Sequence, residues 1–285
     1  MAPRASRSPH PYGHRSLHRS LPERQLTVVS STCKAVILSA GRGSRMGSLT
    51  ADRPKSLLHI GGARLLDRQL AALRAARIHD IAVVTGWQAH RFNDLDLELF
   101  HNSRWAESDM TDSLACAEEW LCEGPTVVCY GDIVFPPAAV EDLRTEPGDI
   151  VVAYDPHWAD LWTQRFTDPL SDAETFRLRE DGTVRDIGDR PVSDDMVEGQ
   201  YMGLFKTEPA GWRRIRSALD KAHDVGSRRD MTGILATLVA EENMRVRAVP
   251  VPGPWCEFDS VTDLAPGAER LARLDRLLAL DRPTP

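Results

Sequence analysis

The sequence predicts an α/β protein: a mostly parallel sheet with helices on both faces and a small β-rich insertion serving as a lid. Three observations predict it. Short aliphatic runs alternate with amphipathic stretches of helical period. Those runs are nearly continuous, as in strands covered on both faces. The first run feeds a glycine-rich loop and a later one ends in Gly131-Asp132, so polar residues fall at the carboxyl ends of strands, where parallel sheets bind ligands.

The elements follow in order. Residues 34–39 form the first strand, and Leu65, Leu66, Leu70 and Leu73 share one face of a helix ending near Arg77. Residues 80–86 give a second strand and 97–100 a third. An amphipathic helix covers 112–122, with Asp112 or Thr111 placed to cap it. Strands follow at 126–132 and 149–154. Beyond residue 170 the pattern turns β-rich, at 174–179, 183–187 and 199–206, with a turn at Asp181-Gly182. Helices at 210–221 and 231–242, a strand at 245–251 and a C-terminal helix from near Val261 complete one domain, 33–285, without an internal repeat.

Residues 1–32 differ in kind. Arginine, serine, histidine and proline dominate, and the apolar centre of a secretory signal is missing, so the segment reads as a disordered N-terminal extension or the product of an upstream start. His10, His14 and His18 stand at helical spacing but among prolines and without a further ligand, which argues against a metal site.

A net charge of -7 argues against general nucleic-acid binding, whose footprint is basic. No apolar run approaches the roughly 18 residues that span a bilayer, so no membrane partner is expected. Five cysteines, an odd number without zinc-like spacing, fit a reducing cytoplasm and no structural disulfide. Cys116, Cys122 and Cys129 read as small core residues.

The chemistry concentrates after the first strand, in Ala40-Gly41-Arg42-Gly43-Ser44-Arg45-Met46-Gly47 followed by Arg53-Pro54-Lys55. Glycines let main-chain N–H groups approach phosphate oxygens, and Arg45 and Lys55 add fixed cations. The dinucleotide fingerprint is not met, because the sixth residue counted from Gly41 is Met46, and the Gly-Lys-Ser/Thr of a P-loop is missing. Asp132 ends a strand at the same edge, and Asp259 ends a later short one. Each reads either as a Mg2+ ligand or as a helix cap. No nucleophile–base pair stands out, and an acceptor that is itself a phosphate or phosphonate needs none, since its oxyanion is ionised near neutrality. Tyr154, Trp158, Trp162, Phe166, Tyr201 and Trp255 either pack the core or enclose a cationic head group, for which Asp230 or Glu198 could serve as counter-ion.

From Lys34 to Asp263 the chain resembles the sugar-phosphate nucleotidylyltransferase superfamily. The resemblance rests on Gly41-x-Gly43-Ser44-Arg45-Met46 with Pro54-Lys55, on Gly131-Asp132-Ile-Val-Phe135 and on Glu257-Phe-Asp259-Ser260. Within it the chain is most similar to phosphocholine and phosphonate cytidylyltransferases, through the segment from Leu161 to Phe176, Gly199-Gln-Tyr-Met-Gly-Leu-Phe205 and Asp230-Met-Thr-Gly233. The resemblance implies a Rossmann-like fold, CTP as donor, Mg2+ held by Asp132 and Asp259, and release of pyrophosphate. It implies catalytic roles for Lys55 and Arg45, nucleotide contacts from Ala40, Gly41, Gly43, Ser44 and Asp132, and a base pocket around Gly86 and Ser113. It also places Arg190 where sugar-phosphate relatives hold the acceptor phosphate with lysine, and it implies as acceptor a small phosphorylated or phosphonated alcohol such as phosphocholine or 2-aminoethylphosphonate, toward which the residue reading sets Tyr201, Glu198 and Asp230. The rivals are a hexose 1-phosphate enzyme using UTP, GTP or dTTP, a non-catalytic nucleotide-binding regulatory subunit, and a dinucleotide-dependent oxidoreductase.

Overall fold

Runs rich in valine and isoleucine become strands here because both of their faces find helices to cover them. In the computed structural model, which describes residues 32–280, Lys34–Ser39 (β1), Ile81–Thr85 (β2), Glu98–His101 (β3), Thr126–Tyr130 (β4), Ile150–Asp155 (β5), Gln200–Thr207 (β6) and Val246–Pro250 (β7) form one seven-stranded sheet. The spatial order is β7-β5-β6-β4-β1-β2-β3. β6 runs antiparallel to β4 and β5, and the other neighbours pair in parallel. Parallel neighbours need crossovers longer than a hairpin, and helices supply them. The helices are Leu65–Ala75 (α1), Met110–Ala115 (α2), Glu118–Glu123 (α3), Pro137–Thr145 (α4), Trp158–Arg165 (α5), Pro209–Val225 (α6), Met231–Val239 (α7) and Leu264–Leu277 (α8).

Successive strand residues point to opposite faces, and the core divides accordingly. Ile37, Val83, Cys129 and Val151 meet Leu66 and Leu70 of α1, Leu143 of α4 and Leu161 of α5. Val36, Val84, Val128 and Val152 meet Leu121 of α3, Trp212 and Ile215 of α6 and Leu235 of α7.

Four expectations are corrected in detail. The helix at 112–122 is two helices, α2 and α3, parted at Cys116–Ala117. Its cap is Asp109 rather than Asp112 or Thr111: the Asp109 N–H donates to the Asp112 carboxylate at 3.0 Å, while Thr111 donates its hydroxyl to the Arg229 carbonyl at 2.6 Å. Of the β runs after residue 170, Phe176–Leu178 and Val184–Ile187 pair as a small hairpin turned by Gly182 at φ 76°, but the third is β6 and enters the main sheet. Cys122 is exposed rather than buried; Cys129 is buried and Cys116 half-buried, and no disulfide joins cysteines among the described residues.

Among the described residues no helix is long and apolar enough to cross a membrane. The expected extension lies, up to residue 31, outside the described residues, as do its three histidines.

One polar tie fastens the C-terminal helix. Arg68 of α1 is fully buried and donates Nε and Nη2 to Asp275 of α8 at 2.6 and 2.7 Å, with Nη1 on the Ala63 carbonyl at 2.8 Å. Asp275→Ala strands a guanidinium in the core. It lowers the unfolding free energy by about 3–5 kcal/mol, measured by urea denaturation with an unchanged m-value.

Candidate active site

The sheet sets the place. β2 and β4 flank β1, so the chain leaves β1 and β4 in opposite directions and a crevice opens at their carboxyl ends. Gly131 extends β4 beside β1, its N–H donating to the Leu38 carbonyl at 2.9 Å. A Cβ there would lie 2.5 Å from that carbonyl oxygen, so the approach requires glycine.

The loop after β1 is held open by its own backbone. Gly43 sits at φ 67°, ψ 46°, in the left-handed region, and caps a 3₁₀ turn over Ser44–Thr50. Met46 is fully buried beneath this turn, and the Thr50 hydroxyl donates to the Gly43 carbonyl at 3.0 Å. A Cβ on Gly43 would come within 2.8 Å of Lys55 Cε. Behind the lysine, the Ser39 and Ser56 hydroxyls hydrogen-bond at 2.5 Å.

Lys55 enters the crevice from the short turn Lys55–Leu57 and ends between two acids. Its Nζ donates to Asp132 Oδ2 at 2.8 Å and to Asp259 Oδ1 at 3.0 Å. Asp259 reaches this point because Cys256–Glu257 pairs antiparallel with Ile133–Val134, just beyond Asp132. The Arg45 guanidinium, largely exposed, pairs with the second oxygen of Asp259. Burial works against the Lys55 charge, but Asp132 and Asp259 outweigh it and push its pKa up to about 12.

A cavity of about 240 Å³ lies over this cluster, lined by Gly41, Gly43, Arg45, Lys55, Asp132 and Asp259 among others. Asp132 Oδ1 is buried there and has no hydrogen-bond partner. An orphaned carboxylate oxygen beside a second acid fits a hard divalent cation. Among the described residues no group of three or more metal-ligating side chains gathers, so such an ion would draw its other ligands from substrate and water, as Mg2+ does.

A second cavity, about 310 Å³, adjoins the first, with Met110 in both walls. Its lining is aromatic and acidic: Tyr130, Trp162, Tyr201 and Trp255 with Asp172, Glu174, Asp230 and Glu257. Burial pushes the carboxyls of Asp172, Glu174 and Glu257 above their ordinary values, and the Asp132 charge adds to the effect at Glu257. Asp230 behaves oppositely. Burial raises it, but hydrogen bonds from Arg228 and the Gly233 amide prevail and hold it below the usual range. Asp230 caps α7 and its oxygens are taken by Arg228, Thr232 and the Gly233 N–H, whereas Glu174 receives the Thr232 hydroxyl at 3.1 Å and Arg228 at 3.3 Å.

The structure thus brings Gly41, Gly43, Arg45, Lys55, Asp132 and Asp259 to one cavity and Tyr201 and Asp230 to its neighbour. Ala40 and Ser44 flank the loop without lining it. Gly86 and Ser113 line neither cavity. A Cβ on Gly86 would lie 2.6 Å from the Ala40 carbonyl oxygen and 2.5 Å from Trp105 Cβ, and the buried Ser113 hydroxyl receives the Asn102 amide at 2.9 Å. Glu198 is exposed and receives the Leu178 N–H at 3.1 Å, beside the hairpin rather than in the cavity. Arg190 donates to the Ser171 carbonyl at 2.5 Å in a shallow depression that shares Asp172 and Glu174 with the second cavity. Of the aromatics, Trp162, Tyr201 and Trp255 line the second cavity. Tyr154 stacks on Phe176 at 4.9 Å, Trp158 donates its indole N–H to the Val197 carbonyl, and Phe166 lies under Arg165. Sequence reasoning assigned no role to Asp172, Glu174 or Glu257. Glu257 had a signal, since it precedes Asp259 by two residues in an extended segment and so shares its face.

A glycine loop and converging charges at the split between β1 and β4, with room beside them for a second reactant, define a nucleotidyltransferase. The chain belongs to the MobA-like NTP transferase domain family, whose profile matches residues 35–232. It is 31% identical over 248 residues to the CTP:phosphoglutamine cytidylyltransferase of Campylobacter jejuni, covering 81% of this chain and 97% of that one. Over 105 residues it is 31% identical to the 2-aminoethylphosphonate cytidylyltransferase of Lancefieldella rimae, 35% of this chain and 43% of the relative. The fold is shared with the CTP:phosphocholine cytidylyltransferase structure from Streptococcus pneumoniae, at a TM-score of 0.64 and 22% identity, over 84% of this chain and 99% of that one.

The raised pKa of Lys55 has a signed consequence. Its folded value lies above the ordinary 10.5, so the cluster's contribution to stability is complete below that value and is lost as pH rises through about 12. The stability gap between wild type and Lys55→Met, measured by urea unfolding, therefore stays constant from about pH 8 to about pH 10 and narrows only above.

Proposed function

We propose that the protein transfers CMP from CTP to a small phosphorylated or phosphonated acceptor bearing an amine, releasing pyrophosphate. The observation that carries this reading is the junction of the two cavities: a glycine-walled one in which Arg45 and Lys55 stand against Asp132 and Asp259, which suits a triphosphate with its Mg2+, opening beside an acidic, aromatic one that suits an ammonium group. The kinship with cytidylyltransferases of phosphoglutamine and 2-aminoethylphosphonate supports cytidine as the base and such acceptors as the class.

In this reading the main-chain amides from Gly41 to Ser44 cradle the donor phosphates. An acceptor oxyanion attacks the α-phosphorus; the new P–O bond forms as the bond to the β-phosphate oxygen breaks, and pyrophosphate leaves with its electrons. Lys55 and Arg45 offset the charge spread over the phosphoryl oxygens, and the walls align attacking and leaving oxygens. Asp132 and Asp259 would hold Mg2+, which when bound supplies further neutralisation of the triphosphate. Asp172, Glu174 and Glu257 face the acceptor amine, and no general base is needed for an acceptor already ionised at neutral pH.

Pyrophosphate release with CTP, UTP, GTP and dTTP against phosphocholine, phosphoglutamine, 2-aminoethylphosphonate and glucose 1-phosphate tests the reading. CTP with an amine-bearing acceptor gives the highest kcat/KM; faster release from a hexose phosphate with another nucleotide overturns it. Lys55→Ala lowers kcat by about 100-fold or more, the usual loss of one donor to a developing anion, measured with saturating substrates. Asp132→Asn raises the Mg2+ concentration needed for half-maximal rate; an unchanged Mg2+ dependence removes this residue from the metal site.

A further inference from the structure

Arg165 lines neither cavity, yet it touches the wall of the second directly and reaches the first through Asp263. It ends α5 with its side chain 2% exposed. Nε donates to Asp263 Oδ1 at 2.8 Å, and Nη1 donates to Glu257 Oε2 at 2.8 Å. The other oxygen of Asp263 receives the main-chain N–H groups of Asp259 at 2.8 Å and Ser260 at 2.7 Å. On its flat faces the guanidinium lies 5.2 Å from the Trp162 ring centroid and 5.0 Å from that of Phe166. The Trp162 indole in turn donates to Asp172 Oδ2 at 3.2 Å.

One buried cation therefore braces two walls. Through Asp263 it fixes the turn that carries Asp259 into the first cavity. Through Trp162 and Glu257 it fixes the aromatic and acidic wall of the second. We infer that Arg165 is a positioning residue that couples donor and acceptor sites, so that the carboxylate beside the triphosphate and the wall around the acceptor are set by the same guanidinium. The residue has to be arginine. Two carboxylates approached from one fork and two rings against its plane need a flat, five-donor group, and the single ammonium of lysine meets only one of these demands. The inference rests on the functional reading above, in which the first cavity takes CTP with Mg2+ and the second takes the acceptor.

The test separates binding from turnover. CTP affinity is measured by calorimetry with Mg2+ and no acceptor, and acceptor KM by pyrophosphate release with whichever of phosphocholine, phosphoglutamine and 2-aminoethylphosphonate the wild type consumes fastest. Asp263→Asn weakens CTP binding about tenfold or more, as loss of a supporting partner does, and leaves acceptor KM within about twofold because Glu257 still holds Arg165. Trp162→Phe does the reverse. Arg165→Lys, folded by its thermal midpoint, moves both constants by about tenfold. A folded Arg165→Lys that shifts only one constant, or neither, overturns the inference while leaving the wild-type activity, and with it the functional reading, intact. A wild type that neither binds CTP nor consumes an acceptor removes both. Should Arg165→Lys fail to fold, the Asp263→Asn/Glu257→Gln double variant decides: with neither carboxylate left to hold Arg165, the combined loss in kcat/KM exceeds the product of the two single losses, and losses that merely multiply overturn the coupling.

Discussion

One ammonium between two carboxylates organises this molecule. Lys55 draws Asp132 and Asp259 to within hydrogen-bond distance of one nitrogen, although the three come from segments far apart in the chain. Two acids so close repel one another, and burial strengthens that repulsion by removing water. The lysine reverses the balance, and the surrounding architecture serves its placement. Gly131 lets β4 run on beside β1, Cys256–Glu257 pairs with the strand after Asp132, and Asp263 ties down the backbone of Asp259.

Charge is distributed unevenly to match. The chain carries a net charge of -7, and in the crevice beside the glycine loop Arg45 and Lys55 are set against Asp132 and Asp259, so the lining charges balance. Cations and main-chain amides gathered at one point of an acidic protein admit a compact polyanion without inviting extended ones such as nucleic acids. The neighbouring cavity has only acids among its charged lining residues, with Glu174 pushed upward by burial, and aromatic walls. A charge-balanced cavity beside an acidic one suits two reactants of different character that must meet at one phosphorus atom.

What the sequence disclosed was local, and what it concealed was tertiary. The first strand, its loop, Lys55 and the two aspartates could be read because glycine, cation and acid positions recur within short windows. The gathering of Asp132 and Asp259 followed from both lying just past strand ends, and Lys55 joins them from the turn that follows the glycine loop. The break between α2 and α3 was hidden, since the apolar period continues through Cys116 while the backbone leaves helical geometry at Ala117, with φ -97° and ψ 19°. Helices α4 and α5 escaped notice because two prolines open one and three tryptophan or phenylalanine residues crowd the other. Gly86 and Ser113 carry the right residue types, but contacts with Ala40, Trp105 and Asn102 decide what they do. Arg165 looks like any helix-ending arginine until Asp263 and Glu257 come to meet it.

The contact between Gly43 and Lys55 reaches beyond this one chain. Because the loop backbone rests on the methylene stem of the lysine, with no space for even one added carbon, the two positions form an interlocked pair. A homologue that acquires a side chain in the loop must shorten or reroute the cation at the same time. Substitutions at the two sites should therefore appear together along a lineage, and a redesigned loop must be built around the lysine rather than grafted over it.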